Sequence, residues 1–409
     1  MRQRAVRLFE AAVKAADPAL ALRPHLVDLP TITGRYILIS VGKAACAMIE
    51  EAIANLPKDA AFEAIAVTNY DNARDIPRCV VMAAGHPVPD ENGAAAVRAV
   101  TELLETTTTD DVVLALISGG GSALLPAPVE GVSLDDKAEV SRILLGAGVD
   151  ITEMNLVRQQ LSRLKGGGFA RLASPASLHG YILSDVIGDD LRVIASGPTV
   201  APIATRSAAR ELLTSLNVFD QMPASVQSYL KVNVLEVVAT PSENTLIGSN
   251  RHSLRAMQET SDDGVIVSDS LTGDVADAAK FILESALRNP TETLIFGGET
   301  TVTIRGNGKG GRNQELALRV AMLAENEDLG DWLFLSGGTD GRDGPTDAAG
   351  GIVDKHTMQR IRDAGVNPEA LLANNDSYAA LKAAGDLLMT GATGTNVADV
   401  QVFLRATKG

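Results

Sequence analysis

Short apolar runs recur along this 409-residue chain, and each run ends in small or polar residues. Runs of roughly four to eight Val, Ile and Leu residues are typical of strands that are buried on both faces. We therefore predict strands at YILIS (36–40), AIAVTN (64–69), VVLALIS (112–118), GYILSD (180–185), GVIVSDS (264–270), TLIFGGE (293–299) and WLFLSGG (332–338).

Segments in which apolar residues recur at helical spacing separate the predicted strands. These segments are 43–55, 91–105, 135–147, 207–216, 274–288, 313–324 and 356–364. Strands that alternate with helices predict an α/β fold whose sheet is mainly parallel. In such sheets ligands bind beyond the carboxyl ends of the strands, which is where this chain places many of its Gly, Ser, Asp and Glu residues.

The region 217–242 interrupts this alternation, because it contains two prolines and a less regular apolar pattern. At about 150 residues per domain, the length predicts two domains, although three are compatible with it. We expect the boundary inside this region, with one α/β domain at 1–235 and a second at 236–409.

Composition and charge narrow the class of protein. Hydrophobic residues make up 45% of the chain and charged residues 21%, as in ordinary globular enzymes. The chain carries 36 Lys and Arg against 51 Asp and Glu, a formal charge of −15, which argues against nucleic acid as a partner. No segment is apolar for long enough to span a membrane, and the N-terminus has the pattern of an amphipathic helix rather than a signal peptide.

The two cysteines, Cys46 and Cys79, do not form a disulfide framework in a chain of this length. Reduced thiols are the ordinary state of cysteine in the cytoplasm, so we expect a cytoplasmic protein. The negative charge still allows a small anionic ligand, since a few local cations are enough to hold one. A homodimer is also compatible with the sequence.

Three consecutive glycines, Gly119–Gly121, lie between a predicted strand and a predicted helix in the segment LALISGGGSALL (114–125). Backbone N–H groups at the start of a helix, together with the helix dipole, favour an anion such as phosphate or carboxylate. A tight, closely packed turn is the alternative. Paired glycines also end two later strands, at 297–298 and 337–338, which favours a shared cleft.

The segment RGNGKGGRNQE (305–315) has the spacing Gly306-x-Gly308-x-x-Gly311 of a dinucleotide-binding turn. We do not assign it that role, because the acidic residues that follow come before the next strand instead of at its end. Lys309 and Arg312 make the loop more basic and suit it to multiply charged phosphates, with a solvated hairpin as the alternative. No Gly-x-x-x-x-Gly-Lys-[Ser/Thr] segment occurs, so ATP would be bound without a P-loop.

Carboxylates cluster after two predicted strands. Asp185 ends one strand and Asp189 follows shortly after it, while Asp340 precedes Asp343 and Asp347 in a glycine-rich segment. Such carboxylates can hold Mg²⁺ or act as a general base. Helix capping or turn chemistry is the alternative for at least one residue of each group.

Three further polar features carry candidate chemistry. Lys43 directly follows a predicted strand, where its ammonium can act as a point charge on a phosphate or carboxylate, or else be solvated at a helix start. The polar turn GATGTNVADV (391–400) presents Thr393 and Asn396 for hydrogen bonds to a small ligand. His86 precedes a proline, and we interpret it as a loop histidine rather than a catalytic one.

A series of motifs occurs in order between about residues 38 and 400: VGKAA, AGHPVPDENG, LISGGGSALL, SDVIGDD…ASGPT, GGRNQE, GTDGRDGPTDAAG and TGTNVADV. Together they resemble the glycerate 2-kinase family, a two-domain group without a P-loop whose C-terminal part is called the MOFRL domain. Some members carry the older label hydroxypyruvate reductase. The resemblance implies a Rossmann-like N-terminal domain with a parallel sheet, a second α/β domain with a mixed sheet, and an active site in the cleft between them.

The resemblance also implies ATP- and Mg²⁺-dependent phosphorylation of D-glycerate to 2-phosphoglycerate, and it points to Lys43 and Arg312. We expect these two residues to neutralise the transferring phosphoryl group. Asp185 is the third expected catalytic residue, as general base or metal ligand, and Mg²⁺ is assigned to Asp185 and Asp340. The expected substrate- or nucleotide-binding residues are Ser118, Gly119, Gly120, Gly121, Ser122, Asp189, Glu299, Asn313, Thr339, Asp340, Thr393 and Asn396.

Two other functions stay open at this point. An NAD(P)H-dependent hydroxypyruvate reductase fits the older family label and the formal glycine spacing, but the position of the acidic residues disfavours it. A non-catalytic sugar-acid-binding protein fits the α/β architecture, but strand ends rich in Lys, Arg and carboxylates disfavour it.

Overall fold

The structure is a computed structural model that describes residues 1–232 and 240–406. The strands are β1 Tyr36–Val41, β2 Phe62–Asn69, β3 Val80–Ala84, β4 Val112–Ile117, β5 Ser177–Leu183, β6 Glu243–Gly248, β7 Gly264–Asp274, β8 Thr293–Thr301, β9 Trp332–Gly338, β10 Gly350–Asp354, β11 Leu387–Leu388 and β12 Asp399–Arg405.

The α-helices are α1 Arg2–Ala15, α2 Pro18–Leu22, α3 Ala45–Ala54, α4 Glu91–Leu104, α5 Gly121–Leu124, α6 Leu134–Gly146, α7 Ile151–Gln160, α8 Gly168–Ala173, α9 Arg206–Ser215, α10 Ala224–Lys231, α11 Asn250–Thr260, α12 Val275–Arg288, α13 Arg312–Ala324, α14 Thr357–Asp363, α15 Pro368–Ala373 and α16 Ser377–Ala384. Short 3₁₀ helices lie at Arg23–Leu26, Tyr70–Asn72, Ile194–Ser196 and Phe219–Gln221.

The chain divides into two compact units. One, the parallel-sheet unit, comprises Leu22–Ser184 and the described part of Asp189–Ile247. The other, the mixed-sheet unit, comprises Met1–Ala21, Asp185–Gly188 and the described part of Gly248–Gly409. The boundary that we predict between residues 235 and 236 lies outside the described residues.

The first sheet has the strand order β3-β2-β1-β4-β5-β6, and its pairs from β3 through to β5 are parallel. Every residue of the central strands β1 and β4 is buried, which is why their sequences are continuously apolar rather than alternating. This order is that of a doubly wound, Rossmann-type sheet, in which the direction of strand addition reverses between β1 and β4. The predicted parallel, Rossmann-like sheet is confirmed.

The parallel-sheet unit also contains a helical cluster built from α6, α7, α9 and α10. Its core is formed by aliphatic side chains on one face of each helix, among them Leu144, Val157, Leu213 and Val226, all buried. Capping boxes at Ser133 and Asp150 begin α6 and α7, because each side chain accepts a backbone N–H three residues on.

The second sheet has the order β11-β10-β9-β12-β8-β7 and mixes both kinds of pairing. The β7–β8 pair is parallel, whereas β12 lies between β8 and β9 and is antiparallel to both. The predicted mixed sheet is confirmed. The turn predicted at 391–400 is wrong for its last two residues, because β12 begins at Asp399.

Alternate residues of the mixed sheet point to opposite cores. Ile295 and Val402 pack with α1 and α11, whereas Phe296 and Phe403 pack with α12 and α13. Both faces of the sheet are therefore covered by helices, and the N-terminal helix α1 supplies part of one covering layer.

Cys46 and Cys79 are both free thiols, as predicted. Among the helices of the described residues, none combines the length and the apolar character needed to cross a membrane.

Candidate functional site

The carboxyl ends of β1 and β4 lie side by side at the point where the order of the parallel sheet reverses. The two strands pair in register to their last residues, so Lys43 and Gly119 leave the sheet next to each other. The Lys43 amide donates to the Gly119 carbonyl oxygen at 2.8 Å. In sheets of this topology ligands bind in the crevice outside the reversal. The structure thus brings two predicted site elements to the place where the topology favours a ligand.

Two glycines at this edge are required by the backbone and by close packing. Gly42 has a φ of 128°, and a Cβ there would lie 2.2 Å from the Ser118 Oγ. Gly120 has a φ of 88°, in the left-handed region, and a Cβ there would lie 3.1 Å from the His86 ring. The buried Ser118 hydroxyl accepts the Ala44 amide at 3.1 Å. Ser118 therefore stabilises the turn from within, as the packing alternative predicts.

The same turn leaves hydrogen-bond donors unused. Within residues 1–232 and 240–406, the amides of Gly119, Gly120 and Gly121 donate to no protein acceptor. The Lys43 ammonium has no ion pair or hydrogen bond with any described residue either. Burial and the neighbouring Lys43 charge lower the pKa of His86, so its imidazole is neutral at neutral pH. Unused amides beside an unpaired cation have the character of an anion-binding site.

Ser122 follows the glycines and is held from two sides. The Lys165 Nζ lies 2.8 Å from its Oγ, and the Ser196 Oγ lies 3.0 Å away. Ser196 donates in turn to the Asn155 Oδ1 at 2.8 Å. The sequence analysis predicts Ser122 as a binding residue; Ser196 lies in the motif ASGPT but is not singled out there, and Lys165 is not indicated.

In the mixed-sheet unit, two of the glycine-rich strand ends meet at a single aspartate. Asp399, the first residue of β12, pairs with Gly298 of β8 on one side and with Gly338 of β9 on the other. A Cβ at Gly338 would lie 3.1 Å from an Asp340 oxygen and 3.5 Å from an Asp399 oxygen. The glycines therefore let carboxylates approach the backbone closely.

Arg312, the first residue of α13, reaches this edge and is paired with carboxylates. Its Nε and Nη2 bind both oxygens of Asp399, at 2.6 and 3.1 Å, and its Nη1 binds Glu299 at 2.6 Å. Asp399 is only 1% exposed. Burial lowers the pKa of Arg312, but the Asp399 and Glu299 carboxylates outweigh it and raise that pKa above its ordinary value. Three of the five guanidinium donors are thus used, and two stay available.

The N-terminus of α13 is capped by Asp343. Its two carboxylate oxygens accept the Asn313 amide at 3.1 Å and the Gln314 amide at 2.8 Å. Gly311 is required here, because a Cβ would lie 2.3 Å from the Asp343 Cγ. Burial raises the pKa of Asp343 to about 6, although these amides oppose the effect. The helix-capping alternative therefore holds for Asp343.

The glycine-rich loop before α13 packs against the segment 374–376. All backbone amides from Arg305 to Lys309 donate to Asn374, Asn375 or Asp376, at 2.7–3.2 Å. The Lys309 ammonium lies 5.3 Å from the centre of the Tyr378 ring. These amides are therefore already used, and binding of phosphate by Lys309 and Arg312 stays a prediction. A dinucleotide-binding turn leaves the first amides of the following helix open to the pyrophosphate. Here the Asp343 carboxylate already accepts the first amides of α13.

Several predicted binding residues use their side chains inside the mixed-sheet unit. Asn313 is buried and accepts the Ser336 hydroxyl at 2.6 Å. Thr339 is buried and donates to the Ala398 carbonyl oxygen at 2.6 Å. The Thr393 hydroxyl donates to the Thr339 carbonyl oxygen, and the Asn396 side chain accepts the Ala398 amide at 3.3 Å. These contacts hold the strand ends together, and a role in binding stays a prediction.

The carboxylates assigned to metal are less concentrated than the sequence suggests. In the described ranges, no group of three or more His, Cys, Asp or Glu side chains has metal-binding geometry. One Asp340 oxygen accepts the Arg342 amide at 3.0 Å. Asp185 lies in the mixed-sheet unit and Asp189 in the parallel-sheet unit. Their catalytic, metal-binding and substrate-binding roles stay predictions.

Comparison with known proteins identifies the chain. Residues 4–231 match the model for a domain of unknown function (DUF4147), and residues 292–399 match the MOFRL family. The chain is 38% identical to the glycerate 2-kinase of Pyrococcus horikoshii, over 100% of this chain and 98% of that protein. It is also 38% identical to an Agrobacterium vitis protein that carries the provisional name hydroxypyruvate reductase, over 98% of this chain and 94% of that one.

A solved structure gives the same result. The glycerate kinase of Thermotoga maritima superposes with a TM-score of 0.91 at 39% identity, covering 99% of each chain. Likeness of this extent in sequence and in fold covers both matched domains. The chain belongs to the glycerate 2-kinase family, which joins a DUF4147 domain to a MOFRL domain.

Proposed function

We propose that this protein is an ATP-dependent kinase that transfers a phosphoryl group to the 2-hydroxyl of D-glycerate. The observation that carries the proposal is the unpaired Lys43 ammonium beside the unused amides of Gly119–Gly121. Both substrates of such a kinase are anions, a polyphosphate and a carboxylate. A cation and several N–H groups that lack protein acceptors suit either of them.

Phosphoryl transfer depends mainly on position and on stabilisation of charge. Lys43 supplies a positive charge at the reversal point of the parallel sheet, and the glycine amides supply fixed dipoles that need no reorganisation. The neutral His86 imidazole lies beside them and can accept or donate a hydrogen bond. These groups hold the oxygens of a bound phosphate or carboxylate.

Arg312 plays a second electrostatic role. The bidentate pair with Asp399 fixes the guanidinium plane, and two N–H groups stay available for a phosphate oxygen. Because its carboxylate partners balance its charge, Arg312 contributes directed hydrogen bonds more than net charge.

Mg²⁺ fits the donor chemistry of the mixed-sheet edge. Magnesium binds oxygen ligands, commonly one or two carboxylates together with the phosphates of its nucleotide. Asp340 provides a carboxylate with one oxygen that no described residue binds. We assign Asp340 to the ion and keep Asp185 as a second predicted ligand; the ion would neutralise phosphate charge. The free thiols agree with a cytoplasmic location.

The test is ADP release by the purified protein with ATP, Mg²⁺ and D-glycerate. We expect release to require glycerate, and hydroxypyruvate with NADH to give no oxidation of NADH. Oxidation of NADH without ADP release would instead identify a reductase. Binding of glycerate by calorimetry with neither reaction would identify a binding protein.

A further inference from the structure

Lys165 is a buried amine whose contacts are all neutral. Its side chain is 5% exposed, and its Nζ lies 2.8 Å from the Ser122 Oγ and 2.9 Å from the Ser122 carbonyl oxygen. No carboxylate of the described chain forms an ion pair with it. A buried lysine without a counter-charge needs an explanation, because burial of an unpaired ammonium is costly.

The charges that face Lys165 all oppose its protonation. Burial lowers the pKa of Lys165 well below its ordinary value, and the nearby cations Lys137 and Arg158 lower it further. Burial, and then Arg158, lowers the pKa of Lys137 itself to about 7. A lowered pKa favours the neutral amine, which can accept a proton, and the hydroxyl within hydrogen-bond distance of it belongs to Ser122.

The hydroxyl of Ser122 is oriented from its other side as well. Ser196 lies 3.0 Å from it and donates to Asn155, and the Gln159 amide donates to the Ser196 carbonyl oxygen at 3.1 Å. Ser196 is fully buried and Asn155 almost so. Because Ser196 gives its single proton to Asn155, Ser122 is the donor in its contact with Ser196. The same proton turns to the Lys165 Nζ, 2.8 Å away, when Ser122 acts as a nucleophile beside a proton-accepting amine.

Two further features complete an acyl-transfer constellation. The amides of Gly119–Gly121 donate to no acceptor in the described residues and immediately precede Ser122, where they can stabilise an oxyanion. A cavity of about 20 Å³ is lined by Gly121, Lys165 and apolar residues including Leu125 and Phe169. Ser122 does not line this cavity, but Gly121 directly before it and Lys165 do, and the volume holds one water-sized group such as an acetyl methyl.

We infer that Ser122 is a nucleophile with Lys165 as its proton acceptor, and that this site also hydrolyses small acyl esters, a reaction that needs neither ATP nor glycerate. The Ser122 Oγ forms a bond to the ester carbonyl carbon while its proton passes to the Lys165 Nζ. The carbon–oxygen bond to the alcohol then breaks, and the Lys165 ammonium returns the proton to the leaving alkoxide. Water hydrolyses the acyl-serine in a second step, with Lys165 again accepting and returning a proton.

Labelling of the full chain with a fluorophosphonate tests the nucleophile. Attack by the Ser122 Oγ expels fluoride and leaves one phosphonyl adduct, which intact mass and peptide mapping locate. We expect one adduct on Ser122, a rate at least tenfold lower in Ser122→Ala, and wild-type labelling in Ser207→Ala, an exposed serine of α9. An adduct at another residue, or unchanged labelling of Ser122→Ala, would overturn the assignment.

The role of Lys165 needs a readout that packing alone would not move. Lys165→Met should slow labelling about a hundredfold, and added methylamine should restore part of the rate. Lys58→Met, at an exposed lysine, is the matched control and should behave as wild type. If Lys165→Met does not fold, the pH dependence of the wild-type labelling rate tests the role of Lys165 instead. A rate that is already maximal at neutral pH supports a neutral amine, and one that rises only toward pH 10 contradicts it.

Ester hydrolysis separates this site from the proposed kinase. We expect 4-nitrophenyl acetate to be hydrolysed at least tenfold faster than the hexanoate, with loss in Ser122→Ala. Hydrolysis without any glycerate-dependent ADP release would leave the serine assignment standing and contradict only the proposed function. If the wild-type protein releases ADP with glycerate but neither reacts with the fluorophosphonate nor hydrolyses the ester, the proposed function stands and the serine assignment is contradicted.

Discussion

The two glycine-rich edges of this molecule look alike in sequence and differ in chemistry. At the parallel-sheet edge, the Gly119–Gly121 amides have no acceptor among the described residues, and neither does the Lys43 ammonium. At the mixed-sheet edge, Arg312 is paired with two carboxylates and Asp343 caps the helix start. Glycine after a strand therefore has two uses: it can leave backbone donors open to a ligand, or it can let a side chain of the protein take them.

The largest expected effect is at the paired cation. Arg312→Ala leaves the Asp399 carboxylate buried without its partner, so we expect a loss of roughly 3–5 kcal/mol in the free energy of unfolding. The kcat should also fall by at least a hundredfold. Urea denaturation and ADP release measure the two losses.

Arg319→Ala is the matched control, because Arg319 lies on the same helix and pairs with the buried Glu315. Arg319→Ala should lower the free energy of unfolding and leave the kcat near the wild-type value. An Arg312→Ala protein as stable as wild type would contradict the structural half of the comparison.

Lys43→Ala tests the opposite case, an unpaired cation. Since no described side chain depends on its ammonium, the free energy of unfolding should change by less than about 0.5 kcal/mol. The kcat should fall by about a hundredfold to a thousandfold, because the bound anion loses its positive charge. Lys58→Ala is the exposed control. Near-normal turnover in Lys43→Ala would refute the assignment of the parallel-sheet edge as the anion site.

Asp343 gives the mixed-sheet edge a pH dependence. Its pKa of about 6 in the fold lies above roughly 3.9 in the unfolded chain, so the folded protein binds more protons between these values. The free energy of unfolding should therefore fall as the pH rises from about 4 to 6, by up to roughly 3 kcal/mol from this group. Denaturation at several pH values should show this slope reduced in Asp343→Asn. Parallel pH profiles for the two proteins would contradict the burial argument.

The smallest effects separate backbone strain from site geometry. Gly120 and Gly391 both have positive φ, but a Cβ at Gly120 would crowd His86 and Lys43 whereas one at Gly391 would meet open space. Each change to Ala should cost roughly 1–2 kcal/mol in stability. Only Gly120→Ala should also lower the kcat, by displacing Lys43. Equal activity in the two variants would mean that the turn only supports the backbone.

Much of the fold is visible in the sequence, because the elements obey local periodicity. The predicted helix 91–105 is observed as Glu91–Leu104 and the predicted strand 332–338 as Trp332–Gly338. Lys43 and the glycine turn could be found for the same reason, since strand ends in a parallel sheet share one edge. The N-terminal helix shows its amphipathic pattern, but periodicity cannot tell which sheet it covers.

The residues that sequence reasoning misses are defined by partners far along the chain. Asp399 lies in a segment that resembles a polar turn, and its importance follows from Arg312, 87 residues away. Lys165 precedes three glycines in a segment without apolar periodicity, and only packing makes it buried. The place of His86 in the site follows from its position beside the glycine turn and from the Lys43 charge, which lowers the pKa of His86 after burial. A charge pattern alone gives no signal for any of these contacts.

The position of the transferred phosphoryl group tests the central claim most directly. Product made from ATP and D-glycerate can be given to enolase, with and without phosphoglycerate mutase. We predict consumption by enolase alone, because the product is 2-phosphoglycerate. A product that enolase consumes only after the mutase is added would be 3-phosphoglycerate, and it would contradict the proposed 2-kinase.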